Sequence, residues 1–175
     1  MDAHEFRRLL LRHKNGDAGA FETLYELCNR KLISSAFLFL QDRDHAVSVA
    51  DDILIKLYNE PEKYCEISNP NGWLFISARN GAINLLKKMN VRRQKEVTVN
   101  IESSVNPIAA VEERLDYYDL LRCFTREEQR LIVWRVDYGL SNRELASKTN
   151  LTVRQIKWKF KKIKSVVNRI MKERK

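Results

Sequence analysis

Apolar residues recur at helical spacing in three stretches of the first half of the chain. The first stretch follows Asp17, a residue type that caps helices, and extends to about Leu40. The second begins after Asp42 or Asp44 and stops at residues 59–61, where proline prevents the helix from continuing. The face of the first helix that is predicted to be core contains Phe21, Leu24, Tyr25, Cys28, Leu32 and Ile33.

The third stretch opens at Asn69-Pro70, which places a capping residue before a proline at the first helical position. The predicted helix runs into a basic end, and the helical periodicity then lapses over a segment that contains Pro107. We therefore predict a flexible linker between two domains. The linker is expected at residues 97–110, and the two domains at residues 1–96 and 111–175.

Three capping boxes mark helix starts in the second domain, at Thr125 with Glu128, Ser141 with Glu144, and Thr152 with Gln155. The last two boxes lie eleven residues apart, which predicts a short helix, a turn and a long helix with helix-turn-helix spacing. Left-handed backbone is expected at Asn150 in the turn. An ordinary helical hairpin is the alternative. The core beneath the turn is predicted to contain Leu131, Trp134, Leu145, Leu151 and Ile156.

The last helix is predicted to separate an apolar stripe from a basic face. The stripe contains Ile156, Phe160, Ile163, Val167 and Ile170. In such a motif the first turn of the second helix points at base edges, so Arg154, Gln155 and Lys157 are the predicted base readers. Trp158 can either cover the edge of the domain or touch DNA, and packing is the favoured interpretation. The full set of predicted DNA-binding residues is Thr152, Arg154, Gln155, Lys157, Lys161 and Lys162.

Two helix faces of the first domain concentrate polar groups. The basic end of the third helix favours contact with unstacked bases and their backbone, whereas Trp73 and Phe75 are expected in the core. The candidates for this contact are Asn80, Asn84, Lys87, Lys88 and Arg92. The second helix is predicted to expose an acidic face opposite its buried Val49, Ile53 and Leu57. That face contains Asp44, Ser48, Asp51 and Asp52.

The net charge of +9 is unevenly distributed along the chain. Residues 141–175 hold 12 Lys or Arg against two Glu, residues 79–95 hold six basic residues and no acidic one, and the rest carries a net charge of −7. Two separate basic stretches suggest two contacts with a polyanion, and the acidic remainder suggests a surface for a basic partner. Solvated helix faces are the alternative interpretation.

The amino-acid composition limits the fold classes and the functions expected of this chain. Five Gly and three Pro in 175 residues leave little turn chemistry for sheets, so we predict an all-α protein. Three His without partner spacing, and no glycine-rich phosphate loop or metal-ligand cluster, indicate no catalytic residue, metal or cofactor. Cys28, Cys65 and Cys123 lie far apart, which predicts reduced thiols in a cytoplasmic protein. The most apolar run, residues 32–40, is too short to insert into a membrane.

Several runs of residues resemble those of a known family, the extracytoplasmic-function group of sigma-70-like factors. The run from Phe21 to Tyr25 and the run from Trp73 to Asn84, with its tryptophan-leucine and alanine-arginine-asparagine elements, resemble the second sigma region. The run from Tyr138 to Ala146 resembles the fourth region, and residues 155–157 fall where the family has threonine, valine and lysine. The resemblance covers most of the chain outside the predicted linker.

The resemblance implies an alternative sigma factor with two helical domains, similar to sigma regions 2 and 4, that directs promoter recognition, DNA melting and transcription initiation. It implies that the last helix recognises the −35 element and that the face from Asn80 to Lys88 binds and melts the −10 element. The acidic face would bind the clamp region of the largest subunit of core RNA polymerase. Promoter DNA and core polymerase are thus the implied partners, and an anti-sigma factor is a further one.

Two details of the resemblance stay open. In the acidic helix, residues 46–48 lack the two middle acids of the family pattern, and Asp51-Asp52 replaces a glutamine-glutamate pair. The loop implied to capture a flipped promoter base offers three candidates, Tyr64, Asn69 and Asn71. The alternative function is a two-domain helix-turn-helix regulator that binds an operator directly and senses a ligand or partner through its first domain.

Overall fold

The computed structural model describes residues 1–96 and 117–173, with side chains for 1–91 and 117–172, and these residues form helices without strands. The chain divides into two compact units, Met1–Asp116 and Tyr117–Lys175. The all-α, two-unit architecture is therefore confirmed, whereas the linker predicted at residues 97–110 lies outside the described residues. The first unit contains α1 Ala3–Lys14, α2 Ala18–Leu40, α3 Arg43–Asn59, α4 Pro61–Tyr64 and α5 Pro70–Glu96. The second contains α6 Tyr117–Arg122, α7 Arg126–Val136, α8 Asn142–Lys148 and α9 Val153–Glu173.

Helix α2 is the centre of the first unit, because α1, α3 and α5 all pack against it. Its buried row follows four-residue spacing and consists of Ala20, Leu24, Cys28 and Leu32. Tyr25 is 41% exposed, and its hydroxyl accepts a hydrogen bond from Asn29 Nδ2 at 2.9 Å. The prediction of Tyr25 as core is therefore wrong. Tyr25 lies about 100° around the helix from Leu24, outside the arc that the neighbouring helices cover.

Side-chain caps determine where the helices of the first unit begin. The side-chain oxygen accepts a hydrogen bond from the backbone N–H three residues later at Asp17 (3.2 Å), Asp42 (2.9 Å) and Asn69 (3.0 Å). These are the predicted caps, with Asp42 rather than Asp44 at the start of α3. Helix α1 is capped in the same way by Asp2, at 2.8 Å. Helices α1 and α4 are additions to the three helices that the periodicity predicts in this half.

Helices α3 and α5 come very close together at Gly81. A Cβ atom at this position would lie 2.7 Å from Val49 Cγ1, and Val49 is buried in α3. Glycine fits here because a Cβ atom would clash with the Val49 side chain, so that one of the two residues would have to shift. On the adjacent side of α5, Leu74, Ala78 and Ala82 are fully buried. The small residues of α5 thus allow it to lie against both α2 and α3.

The second unit encloses an apolar cluster between α7, α8 and α9. Leu131, Leu145 and Ile156 are buried at its centre, and Trp134 and Leu151 pack against them, which confirms the predicted core. All three predicted capping boxes are present. The sequence therefore placed the starts of α7, α8 and α9 correctly.

The turn between α8 and α9 depends on Thr149 rather than on a left-handed residue. Thr149 ends α8 with extended backbone at φ −131°, and its hydroxyl donates to the Leu145 carbonyl at 2.8 Å and accepts from the Leu151 N–H at 3.4 Å. Among the described non-glycine residues only Gln41 has a positive φ. The left-handed conformation predicted for Asn150 is therefore wrong, because the threonine hydroxyl satisfies the backbone groups that such a residue would otherwise serve.

The three cysteines have different surroundings. Cys28 and Cys65 are buried, and Cys123 is exposed. Burial raises the pKa of the Cys28 thiol to about 12 and also raises the pKa of Cys65. Within the described ranges, no three His, Cys, Asp or Glu side chains form a group that could hold a metal ion, and no helix is long and apolar enough to span a membrane.

Candidate nucleic-acid and partner interfaces

A polar groove of about 410 Å³ lies between α3 and α5 in the first unit. We call it the α3–α5 groove. Both helices contribute polar side chains to it, and two aromatic rings line it as well. The lining side chains with hydrogen-bonding or charged groups are Ser48, Asp52, Lys56, Tyr64, Trp73, Ser77, Asn80, Asn84 and Lys88. The structure thus brings three of the predicted α5 contacts, Asn80, Asn84 and Lys88, into one concave site.

The aromatic rings of Tyr64 and Trp73 lie together in this groove. Their centroids are 5.1 Å apart, and Trp73 also packs against Phe6 at 6.5 Å. Phe75 packs against Phe39 of α2 at 6.4 Å. Trp73 and Phe75, both expected in the core, are half-buried. Trp73 therefore combines a packing contact with a surface that faces the groove.

The three loop candidates for capturing a base have different environments. Tyr64 lines the groove, whereas Asn69 caps α5 through its side-chain oxygen. The side chain of Asn71 accepts a hydrogen bond from Lys31 Nζ at 3.0 Å and donates one to the Met1 carbonyl at 3.2 Å. The structural contacts of Asn69 and Asn71 leave Tyr64 as the candidate whose side chain faces the groove.

Of the two other predicted α5 contacts, only Lys87 has a described side chain. Lys87 is exposed but does not line the α3–α5 groove. The backbone of Arg92 continues α5, and its side chain lies outside the described residues. The basic end of α5 thus extends beyond the groove.

The acidic face of α3 is exposed opposite Val49, Ile53 and Leu57, which are buried as the sequence predicts. Its predicted members Asp44, Ser48, Asp51 and Asp52 are all exposed. The structure divides the face between two grooves. Ser48 and Asp52 line the α3–α5 groove, whereas Asp51 borders a second groove between α2 and α3.

The second groove, which we call the α2–α3 groove, carries exposed apolar side chains; the sequence indicated Tyr25 only as core and did not indicate Ile55 or Tyr58. Tyr25, Ile55 and Tyr58 are 41%, 56% and 54% exposed, and all three lie around Asp51. His13 packs its ring against Tyr58 with a centroid distance of 4.6 Å. A signal was available in the sequence, because Ile55 and Tyr58 fall on the polar side of an otherwise amphipathic helix.

The basic helix α9 turns its predicted DNA-binding residues outward. The apolar stripe faces the core, with Ile156 and Ile163 buried and Phe160, Val167 and Ile170 half-buried. All six predicted residues are exposed: Thr152, Arg154, Gln155, Lys157, Lys161 and Lys162. The structure therefore places these residues together on the solvent side of one helix.

Gln155 takes part in the capping box that begins α9. Its Oε1 accepts hydrogen bonds from the Thr152 N–H at 2.8 Å and from the Thr152 hydroxyl at 2.9 Å. The Nε2 amide remains as the group that can donate to a ligand. Gln155 can therefore fix the start of the helix and offer one hydrogen bond at the same time.

The capping box at the start of α8 differs because it contains a carboxylate. Glu144 Oε2 accepts a hydrogen bond from the Ser141 N–H at 2.7 Å. Hydrogen bonds from the side chain and the backbone of Ser141 hold the pKa of Glu144 below its ordinary value. The start of α8 thus depends on a titratable group, whereas the start of α9 depends on a neutral amide.

Trp158 is 62% exposed, and the expectation that it packs at the edge of the domain is wrong. Its ring lies 5.8 Å from Lys162 Nζ. Trp158 follows the buried Ile156 by two positions, which places it about 200° around the helix, on the outer side. The helix geometry therefore turns this large aromatic side chain toward solvent.

Comparison with known proteins reveals a likeness of fold. No protein-family model matches this chain, and no curated protein is significantly similar to it. Among solved structures, a co-crystal structure of the sigma factor RpoE in complex with the anti-sigma factor NepR from Bartonella quintana is similar, with a TM-score of 0.50 and 21% identity. The likeness covers 87% of this chain and 96% of that chain. The chain therefore has the fold of a sigma factor.

Proposed function

We propose that this chain is an alternative sigma factor of the extracytoplasmic-function group, which binds core RNA polymerase in the cytoplasm and directs it to promoters. It catalyses no reaction itself. The fold shared with RpoE supports this proposal, as do the residue runs that resemble sigma regions 2 and 4. An anti-sigma factor is a further proposed partner, because the similar RpoE was solved with one.

The observation that carries the proposal is the α3–α5 groove. Proteins hold single-stranded nucleic acid with cationic grooves and aromatic rings on which bases stack. The groove combines Lys56 and Lys88 with the rings of Tyr64 and Trp73, and it adds amide groups for base edges. A ligand-sensing domain in an operator-binding regulator has no need of the basic extension of α5. We therefore assign the groove to the melted −10 element, with Tyr64 as the residue that meets a flipped base.

The second unit supplies the proposed contact with the −35 element. Its helix-turn-helix exposes Arg154, Gln155 and Lys157 at the start of α9, where such motifs meet base edges. Lys161 and Lys162 extend the cationic surface along the helix and would contact phosphates. Two separate DNA contacts in one chain agree with the two elements of a bacterial promoter.

The exposed face of α3 is the proposed contact with the polymerase clamp. Acidic side chains steer association with a basic partner, whereas buried aromatic and aliphatic side chains supply most of the affinity in protein interfaces. Asp51 lies beside Tyr25, Ile55 and Tyr58 in the α2–α3 groove, so both kinds of side chain occur together. We therefore extend the proposed interface from the acidic residues to these three apolar ones.

The decisive experiment is transcription from a promoter library by purified core polymerase, with and without the full chain. We expect transcripts from a subset of promoters that share two sequence elements, and only when the chain is present. Transcription that is independent of the chain, together with binding of the chain alone to one short operator, would favour the regulator instead.

Charge reversal on α3 tests the polymerase contact. Asp51→Lys with Asp52→Lys should abolish capture of core polymerase, because like charges at an interface cost several kcal/mol in association. The matched control is Glu26→Lys, which reverses an exposed carboxylate on α2. Helical content and duplex DNA binding should be unchanged in both proteins. Undiminished capture by the double variant would place the interface elsewhere.

The two single charge reversals test the functions of the two grooves separately. Asp51→Lys acts in the α2–α3 groove and should weaken capture of core polymerase. Asp52→Lys acts in the α3–α5 groove and should also alter promoter opening. Equal effects of the two reversals on both measurements would contradict this division.

Promoter opening tests the α3–α5 groove directly. Asn84→Ala should reduce permanganate reactivity of unpaired thymines at the −10 element more than it reduces initial docking of the holoenzyme. Asn90→Ala is the control, because it removes an exposed amide from another side of α5. Normal opening in an Asn84→Ala, Lys88→Ala double variant, which removes two side chains that line the groove, would refute the role of the α3–α5 groove.

A further inference from the structure

Trp158 is the large aromatic side chain that α9 leaves in solvent, with 62% of its surface exposed. Tryptophan is usually covered to a large extent in folded proteins. Its neighbours on the outer side of the helix are cationic, since Arg154 precedes it by one turn and Lys161 and Lys162 follow it. The ring of Trp158 therefore lies in the middle of a basic surface.

The charges around Trp158 indicate what kind of partner covers it. Lys162 Nζ lies 5.8 Å from the ring centroid, and Arg154 is exposed one turn earlier. An apolar protein surface that covered the ring would have to strip water from these cations without pairing them, which is costly. A polyanion would pair them with phosphates. The partner that fits both the ring and its cationic neighbours is duplex DNA.

Within the major groove, the apolar feature that a side chain can contact is the C5-methyl group of thymine. Trp158 lies four residues after Arg154, so the two side chains are about 6 Å apart along the helix axis. This distance corresponds to about two base pairs at a rise of about 3.4 Å. The two residues can therefore contact nearby base pairs of one recognition site.

We infer that Trp158 is a specificity residue that contacts a thymine methyl group in the major groove, about two base pairs from the base contacted by Arg154. The inference rests on the proposed function, because it requires α9 to be the recognition helix. It names a feature of the preferred DNA site, namely a thymine recognised by its methyl group rather than by its hydrogen-bonding edge.

The test begins with selection of a preferred sequence from a random duplex library by the full chain. Each thymine of that sequence is then replaced by deoxyuridine, which removes only the methyl group. We expect one position at which the replacement weakens binding by about fourfold, the effect of exposing one buried methyl group. The same replacement should have no effect on Trp158→Ala and a reduced effect on Trp158→Phe, which keeps an apolar ring.

Met171→Ala is the matched control, because Met171 is another apolar side chain of α9 and is 55% exposed. This variant should keep the full deoxyuridine effect. Deoxyuridine effects that are equal in wild type and Trp158→Ala would overturn the inference, as would a loss of affinity in Trp158→Ala that is the same for all sequences. If α9 is not a recognition helix, no sequence would be enriched from the library, and if the chain is an operator-binding regulator, a sequence would be enriched but core polymerase would not need the chain for transcription.

Discussion

The two long basic helices, α5 and α9, differ in how their neighbours cover them. Helix α9 buries one stripe around Ile156 and Ile163 and leaves the opposite side in solvent. Helix α5 is contacted by both α2 and α3, so its apolar residues are spread over several sides, with Leu74, Ala78 and Ala82 fully buried and Trp73 and Phe75 half-buried. When a helix packs on one side only, the hydrophobic periodicity of its sequence shows which face is buried and which face is free to bind a partner. The sequence of a helix that packs between two neighbours does not show this.

The largest expected effect comes from removing part of the stripe of α9. Ile156→Ala leaves a cavity in a fully buried cluster and should destabilise the second unit by about 2–5 kcal/mol. Denaturant unfolding of the full chain would show an early transition for the second unit, with loss of duplex binding. Ile170→Ala is the control, because its site is half-buried and the cost should be smaller. Equal losses in the two variants would mean that the stripe does not define the fold of this unit.

The next largest effect is on the stability of the first unit and concerns the close contact between α5 and α3 at Gly81. Gly81→Ala adds a Cβ atom 2.7 Å from Val49 Cγ1, and such overpacking costs about 1–3 kcal/mol. In a Val49→Ala background the clash disappears, and the same change should stabilise the unit by up to about 1 kcal/mol through helix propensity. Thermal unfolding of the wild type, the two single variants and the double variant would show whether the effect of Gly81→Ala on stability changes from destabilising to stabilising when Val49 is replaced.

Gly19→Ala in α2 is the control for that cycle. Its new Cβ atom would meet its nearest neighbour, Asp17 Oδ1, at 3.5 Å, an ordinary contact. We expect this substitution to be neutral or stabilising whether or not Val49 is changed. A destabilised Gly19→Ala protein would show that glycine content in general, rather than the contact at Gly81, limits the stability.

A smaller effect distinguishes α9 from α5 by the salt dependence of duplex DNA binding. Lys161→Ala and Lys162→Ala should each reduce the slope of log affinity against log salt for duplex DNA by about one, because each lysine displaces about one counterion. Arg154→Ala should instead relax the preference for one base. Lys88→Ala lies in the α3–α5 groove and should leave the duplex slope unchanged. A slope reduced equally by Lys88→Ala would mean that α5 also binds duplex DNA.

The smallest expected effect is on pH dependence within the second unit. Because the folded state lowers the pKa of Glu144, its stabilisation of α8 is present above the ordinary glutamate pKa of about 4.3 and is lost as the pH falls through the folded pKa. Gln155 does not titrate, so the start of α9 should keep its stability. Amide hydrogen exchange between about pH 5 and 3 would show fraying at the start of α8 but not at the start of α9. In Glu144→Gln this pH dependence should vanish.

Local signals in the sequence were sufficient for the helix starts that have a side-chain cap. The caps at Asp17, Asp42 and Asn69 act within three residues, so the sequence determines them without knowledge of the fold. Helix α1 carries the same kind of signal, because its buried Phe6 and Leu10 lie four residues apart behind a capping Asp2. Attention to that spacing would have identified it.

Contacts between helices could not be predicted in the same way. Tyr25 and Trp158 are exposed because of which neighbouring helices cover α2 and α9, and neighbours are not visible in one helix's periodicity. The α3–α5 groove likewise combines Asp52 with Asn84 only because Gly81 lets two helices approach. The sequence therefore predicted which helix carries each candidate polar residue, but not which of these residues face each other.

Because the cysteines are unequally buried, thiol-specific dyes should label them selectively. The thiolate is the reacting species, so Cys28, which is buried and has a pKa of about 12, should react very slowly with a maleimide. Cys123 is exposed and should take up the dye first. The natural sequence thus offers a fluorescent reporter on the second unit, by which its arrival on DNA could be timed without any substitution.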